Sequence, residues 1–491
     1  MKISINNKLV IFLSLLSFIS FLSGAILFKY TKEISFNGDE SGWITSGYYY
    51  TDLLFKHDFD WDKWSCTKCG PWGNLNPHVG KWLIGIPLKV HSNKIGGREF
   101  FKFYDFTKSL QDNRKEGRIP PRDILLYARN VSAIFAVLCC LLIFAISYFC
   151  MKSWIGMIAV ILLLANKLFI VSTTRAMTDV YYNFFLLCFC LAVIFLLKLR
   201  KETQMLWVSL LCGSFTGLAC SVKITGIIIG GFIFLALIIY KGNIFKLRKK
   251  MIVLYSIVFF FSSIAVIYIL NPYFWPSYKE IKGKAIFQEL KSISEEKPTI
   301  KLPRGGIGDL IGKDIRERYP QLSNLSHVLE FPLLFIRWNN FQNRIATGES
   351  GIPIEFRKYW YGNRFRTFHK TLFIEHSSFV SVANVFLKEG TSYFSLLGII
   401  EWIFLCIGII SCCIRINKSV RCRNISLWTI PLLYFITNYF FILIFQNLSF
   451  DRYYLPTIIA SRVIVAVGIY DVMTRIYQYF KGSRQRVLLG Y

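Results

Sequence analysis

Long apolar runs parted by short polar connections set the pattern of this chain. The first covers residues 9–28, and others follow at 124–150, 154–171 and 180–197. The stretch 206–240 is two runs long and breaks at Ser221-Val222-Lys223, so it reads as two short spans meeting there. Further runs cover 251–270, 394–414, 425–445 and 454–473. A helix rising about 1.5 Å per residue crosses the hydrocarbon of a bilayer in about 20 residues, so each run has the length of one crossing. The pattern predicts an all-α polytopic membrane protein of about ten transmembrane helices.

Two long polar segments interrupt the runs, at 29–123 and 271–393. They divide the chain into an N-terminal transmembrane module over 1–270, a second polar region over 271–393, and C-terminal helices with a basic tail over 394–491. Within the second region, 328–338 is modestly apolar. Glu330 and Pro332 interrupt it and it is too short to span, so it reads as interfacial or packed. The run at 9–28 is longer than a signal-peptide core and Ser23-Gly24-Ala25 is a poor cleavage site, so it reads as an uncleaved first span.

The formal charge of +29 would point to nucleic acid in a soluble protein. Here the basic residues fall in the short connections instead. Lys198, Arg200 and Lys201, then Lys241, Lys246, Arg248, Lys249 and Lys250, then Arg415, Lys418, Arg421 and Arg423 all lie on one side of the span pattern, as do both termini. By the positive-inside rule that side is the cytoplasm. The extracytoplasmic side receives both long segments, the turn at 172–179, the Lys223 break and the turn at 446–452. Most of the 13 cysteines sit inside apolar runs as small hydrophobes. Cys66 and Cys69 form a lone CxxC without the second pair of a structural zinc site, which leaves a disulfide, favoured outside the cytoplasm, or free thiols.

Candidate chemistry gathers on the extracytoplasmic side. Asp39 and Glu40 adjoin each other within a few residues of the first span, although neighbouring like charges repel and resist desolvation. Lys81, Arg175, Lys223 and Arg452 are bases near membrane level, and Trp43, Trp72, Trp82, Trp275, Tyr453 and Tyr454 are aromatics beside them. Cations there suit a lipid phosphate, a carboxylate can take the proton of an acceptor hydroxyl, and aromatic faces suit a sugar or a lipid tail. Each has a plainer reading as well. The acid pair can be solvated, Lys223 can snorkel at a helix end, Arg175 and Asp179 can pair at i and i+4, and Lys81 and Arg452 can touch headgroups. Asp451-Arg452 can be a surface ion pair and Asn76-Pro77-His78 a turn. No P-loop, GxSxG, HExxH or paired CxxC occurs, and the six histidines show no metal-ligand spacing. A transporter or flippase for lipid-linked or anionic substrates is the alternative class, and a scaffold or receptor a third. The gathering of charges at one face favours an enzyme.

These segments, in this order, resemble the GT-C-class glycosyltransferases that use polyprenyl-phosphate sugars, among them the protein O-mannosyltransferases and the lipid A aminoarabinose transferases. Asp39-Glu40 looks like the acidic pair of their first external loop. Residues 76–85 (NPHVGKWLIG) resemble their HPPLGK-type segment, with Asn76 in place of the histidine and His78 in place of the second proline. Residues 173–185 look like their arginine-to-aspartate motif, 217–226 like their lysine-containing helix break, and 271–276 and 450–460 recur there too. The resemblance implies a GT-C-like fold with two long extracytoplasmic loops. It implies transfer of a sugar, with inversion, from a dolichyl or undecaprenyl phosphate to a hydroxyl of a protein, lipid or polysaccharide acceptor. Asp39 would be the catalytic base, with Glu40 supporting it or contacting the acceptor. Lys81, Arg175 and Arg452, with Lys223, would bind the donor phosphate, and Asp179 would orient the donor. The resemblance leaves room for a divalent cation, with Asp39 and Asp179 as its candidate ligands, and implies no nucleic-acid partner.

Overall fold

The computed structural model describes residues 5–59, 61–64, 77–90, 104–105, 108–272, 378, 393–445 and 451–488, and no strand occurs among them. The chain opens with α1 (Ile5–Glu33), α2 (Gly38–Phe55), α3 (Val79–Val90) and α4 (Arg122–Cys150). Next come α5 (Ser153–Leu164), α6 (Lys167–Thr174), α7 (Asp179–Lys198), α8 (Glu202–Cys220), α9 (Thr225–Phe245) and α10 (Lys249–Ile269). The last described helices are α11 (Tyr393–Arg421), α12 (Thr429–Phe445) and α13 (Leu455–Leu488).

Every predicted span falls on a helix, and among the described residues 8 helices are long and apolar enough to cross a membrane. Span three differs from expectation. Its run is broken into α5 and α6, bent by 73°. Asn166 lies at the break and its Oδ1 accepts the Phe169 N–H at 2.8 Å, so a side chain starts a new helix where the backbone would have continued the old one. Span nine starts later than the run at 425–445 suggests, and α12 is only 17 residues long. The first long polar segment is not a plain loop, because α2 and α3 lie in it and pack closely on each other. The piece at 328–338 lies outside the described residues.

In lipid, burying apolar side chains gains little, because the tails are as apolar as leucine; close packing and polar contacts decide how helices associate. α8 packs on α10, α11 on α13, and α1 and α7 on α4. Phe234 and Phe259 stack at 4.1 Å between centroids in the resulting core. Large apolar side chains such as Phe21 (77% exposed), Phe261 (73%) and Trp207 (71%) cover the outside, as a lipid-facing surface requires. Lys241, one of the connection charges, turns inward instead and donates to the Leu196 carbonyl at 2.6 Å, closing the end of α7.

Candidate active site

The site is assembled from helix ends. Asn37 caps α2: its Oδ1 accepts the Asp39 N–H at 3.0 Å, while Glu40 reaches back to accept the Asn37 N–H at 3.0 Å. This capping box fixes where the helix begins and turns the neighbouring acids about 100° apart. Asp39 stays half-buried at the rim. Glu40 points inward and is fully buried.

Arg129, from α4, meets Glu40 there. Its Nε donates to Oε1 at 2.8 Å and its Nη2 to Oε2 at 2.6 Å. Its other N–H groups donate to the Thr31, Ile34 and Ser35 carbonyls at 3.0, 2.8 and 3.2 Å. All of the guanidinium's five donors are thereby used. Ala176 N–H also donates to Glu40 Oε1, at 3.0 Å. Both Glu40 carboxylate oxygens are thereby occupied. The same contact brings the turn carrying Arg175 against the first turn of α2.

Further contacts close the arrangement. Asp179 opens α7, where the helix dipole favours a carboxylate, and Lys223 from the break between α8 and α9 donates to its Oδ1. Asp179 thus takes Lys223 as its partner, not the arginine four residues before it. The Lys223 ammonium also lies 5.2 Å from the Tyr453 ring centroid. Val79 N–H donates to the Ser221 carbonyl at 3.0 Å, and Asn271 joins the His78 N–H (3.0 Å) to the Ser221 hydroxyl (3.1 Å). Gly80 is required here: a Cβ on it would stand 2.5 Å from Thr178 Cγ2. The acid pair, the 78–81 segment, the Arg175–Asp179 turn, the Lys223 break and Asn271 therefore interlock at one end of the bundle.

Lys81 is placed differently from a rim cation. It is fully buried, with its ammonium 4.6 Å from the Tyr50 ring centroid. Tyr50, Trp64 and Trp82 pack around His78 beside it, His78 standing 4.4 Å from Tyr50 and 5.1 Å from Trp64 between centroids. Burial among these rings, with the Lys81 charge second, holds the His78 imidazole well below its usual range, so it is neutral. Ser46 Oγ, Thr51 Oγ1, Trp82 Nε1 and Thr178 Oγ1 are buried with no hydrogen-bond partner among the described residues. Such groups mark where a polar ligand or water is accommodated.

The side chains of Asp451 and Arg452, together with Asn76, Trp72, Trp275, Cys66 and Cys69, lie outside the described residues. Among the described residues, no group of three His, Cys, Asp or Glu side chains could hold a metal ion, and Asp179 is already engaged by Lys223. That donor set does not fit a bound cation. Sequence reasoning missed Arg129, although a lone arginine inside the run at 124–150 was the signal.

Residues 125–269 match the family model described as dolichyl-phosphate-mannose-protein mannosyltransferase. No curated protein sequence matches the chain. Among solved structures, the chain is similar to the archaeal oligosaccharyltransferase AglB from Archaeoglobus fulgidus, in complex with an inhibitory peptide and a dolichol-phosphate. That likeness has a TM-score of 0.52 at 13% identity and covers 97% of this chain and 52% of that one. The chain thus spans about half the length of that relative and shares its fold. The S. cerevisiae protein O-mannosyltransferase Pmt1-Pmt2 complex bound to the sugar donor follows at TM-score 0.35, with 14% identity over 56% of this chain and 33% of that one. ArnT from Cupriavidus metallidurans, bound to undecaprenyl phosphate, gives TM-score 0.32 with 10% identity over 95% of this chain and 77% of that one. The chain is similar to polyprenyl-phosphate-dependent glycosyltransferases of the GT-C class in the sequence of residues 125–269 and in fold.

Proposed function

We propose that this chain is an integral-membrane glycosyltransferase that moves a sugar from a polyprenyl phosphate to an acceptor hydroxyl. The reading rests chiefly on the Ala176–Glu40 contact at 3.0 Å, which joins the turn bearing Arg175 to the helix start bearing Asp39. On this reading a base and a phosphate-binding cation stand on neighbouring, directly bonded segments.

In this mechanism Asp39 accepts the proton of the acceptor hydroxyl as its oxygen forms a bond to the anomeric carbon. The bond from that carbon to the phosphate oxygen breaks, and the polyprenyl phosphate leaves with the electron pair. Attack from the side opposite the phosphate inverts the anomeric centre. Arg175 neutralises the charge growing on the phosphate, with Arg452 as a second candidate, and this is the main electrostatic term. Lys223 holds Asp179 and stands near Tyr453, so the pair orients the donor from the neighbouring helix ends. Lys81 acts from within the α2–α3 packing. The basic connections at the opposite end of the bundle support an extracytoplasmic site with both termini in the cytoplasm.

Incubating membranes that contain the chain with labelled dolichyl- or undecaprenyl-phosphate sugars tests the proposal. Label is expected to move into a protein, lipid or polysaccharide fraction only when the chain is present. Label that crosses the membrane still joined to its polyprenyl phosphate would support a transporter and overturn the transferase.

A further inference from the structure

Away from the helix ends, a charged pair lies in the middle of the C-terminal helices. Arg462 Nη1 stands 2.8 Å from Glu401 Oε1, and both side chains are fully buried. Arg462 Nε donates to Ser378 Oγ at 2.9 Å, and Ser378 donates in turn to the Leu162 carbonyl at 2.7 Å. Ionisable groups at such depth are costly and seldom kept without a task.

The depth follows from the contacts along α13. Lys152 donates to the Tyr470 hydroxyl at 2.7 Å and Arg415 pairs with Asp471, so this level of α13 lies at the end of the bundle with the basic connections. At about 1.5 Å per residue, Arg462 is roughly 10 Å from Leu455 and roughly 12 Å from Tyr470 along the helix axis. It is near the middle of the span. Glu401 facing Arg462 and Arg415 facing Asp471 make α11 run parallel to α13, so Tyr393 is at the site end. Asn271, which follows α10, is at the site end too. Ser378 stands opposite Arg462, at the depth of mid-span.

The break in span three supplies a reason. It frees the last carbonyls of α5 in a region without water, where each needs a partner. Ala165 N–H takes the Ile161 carbonyl at 2.9 Å and Asn166 N–H the Leu163 carbonyl at 3.0 Å. The Leu162 carbonyl between them is taken by Ser378. On the other side of the break, α6 runs directly to Arg175.

We propose that Ser378, Arg462 and Glu401 form an intramembrane anchor on the bend between α5 and α6. Arg462 is then a positioning residue, which acts through Ser378 and the bend on where Arg175 stands. The link to Arg175 rests on the proposed function; the anchor does not.

Ser378→Cys in the full chain tests the anchor, using a bulky water-soluble maleimide and mass spectrometry of the peptide carrying the introduced thiol. Its labelling is expected to be at least about tenfold slower than that of the exposed Cys422, because it requires local opening. Two additions should speed it towards the Cys422 rate. Arg462→Lys keeps a charge opposite Glu401 but loses the guanidinium fork that also reaches Ser378. Glu401→Leu with Arg462→Met replaces the pair by apolar side chains of similar size, a change that folds often tolerate. Fast labelling in the chain with native Arg462 and Glu401, or slow labelling in both variants, overturns the anchor. In transfer assays, Arg462→Lys should raise the donor KM at least about fivefold with kcat within about twofold. An unchanged KM overturns the link to Arg175 and leaves the anchor. Absence of transfer by the unaltered chain overturns the proposed function and the link with it, while the labelling result still decides the anchor.

Discussion

Replacing Arg129 with methionine strands Glu40 as a buried carboxylate without its counter-ion. Breaking a buried pair in this way costs about 3–5 kcal/mol, and thermal unfolding of the purified chain should show it. Adding Glu40→Gln should recover part of the loss; a single variant as stable as the parent would contradict the clamp. His78 yields a pH dependence. Its folded pKa lies well below the ordinary value of about 6.5, so above that pH both folded and unfolded states hold it neutral. Below it, the unfolded chain takes up a proton that the folded chain refuses, and stability falls by at most about 1.4 kcal/mol per pH unit. Melting temperature should therefore drop more steeply between pH 7 and 5.5 in the parent than in His78→Gln, and equal slopes would remove His78 from the effect. The adjacency of Asp39 and Glu40 was visible in the sequence, but their different surroundings, one half-buried and one fully buried, were not. The difference depends on the helix starting at Asn37, and the signal was the spacing of Asn37 and Glu40, a capping box. Glu401 and Arg462 were legible only as single charges in two apolar runs, since nothing in either run reveals its partner.

Among the elements, α2 and α3 place the site by touching backbone to backbone. A Cβ on Gly85 would stand 2.0 Å from the Gly47 carbonyl oxygen, so no side chain fits there unless the helices separate. Gly85→Ala should lower the melting temperature, by an amount matching roughly 1–3 kcal/mol of overpacking. It should also reduce transfer, because Lys81 lies on the same helix. Gly24→Ala, where a Cβ would meet nothing within 4 Å, is the matched control and should change neither. Equal effects from the two would show that α2 and α3 are not held by this contact. The spans themselves were legible because an apolar run of crossing length has few other uses. The bend in span three was not, although Asn166-Lys167 interrupts its run with two polar residues. The interruption is visible in the sequence, whereas the angle of 73° depends on tertiary packing that no local signal carries.

For the whole molecule, the alternation of helix ends puts Asp39, Arg175, Lys223 and Asn271 together, and the order of the motifs along the chain anticipated this meeting. The second long segment was opaque to sequence reading because its polar stretch lacks a periodicity that would place it. Topology can be checked by substituting cysteine at Asp39, Arg175 and Asp451 and labelling intact membranes with an impermeant reagent. All three should report one side, and the native Cys422, at the opposite end of α11, should report the other. Any of the three sharing the side of Cys422 would break the proposed arrangement. The chemistry is tested most directly by reconstituting the chain and its Asp39→Asn variant in liposomes with a labelled polyprenyl-phosphate sugar and the acceptor fraction that takes up label. Transfer by the parent, with a loss of about 10²–10⁴-fold in a variant that inserts and folds normally, is expected of a general base. Near-normal transfer by Asp39→Asn would contradict the account at its centre.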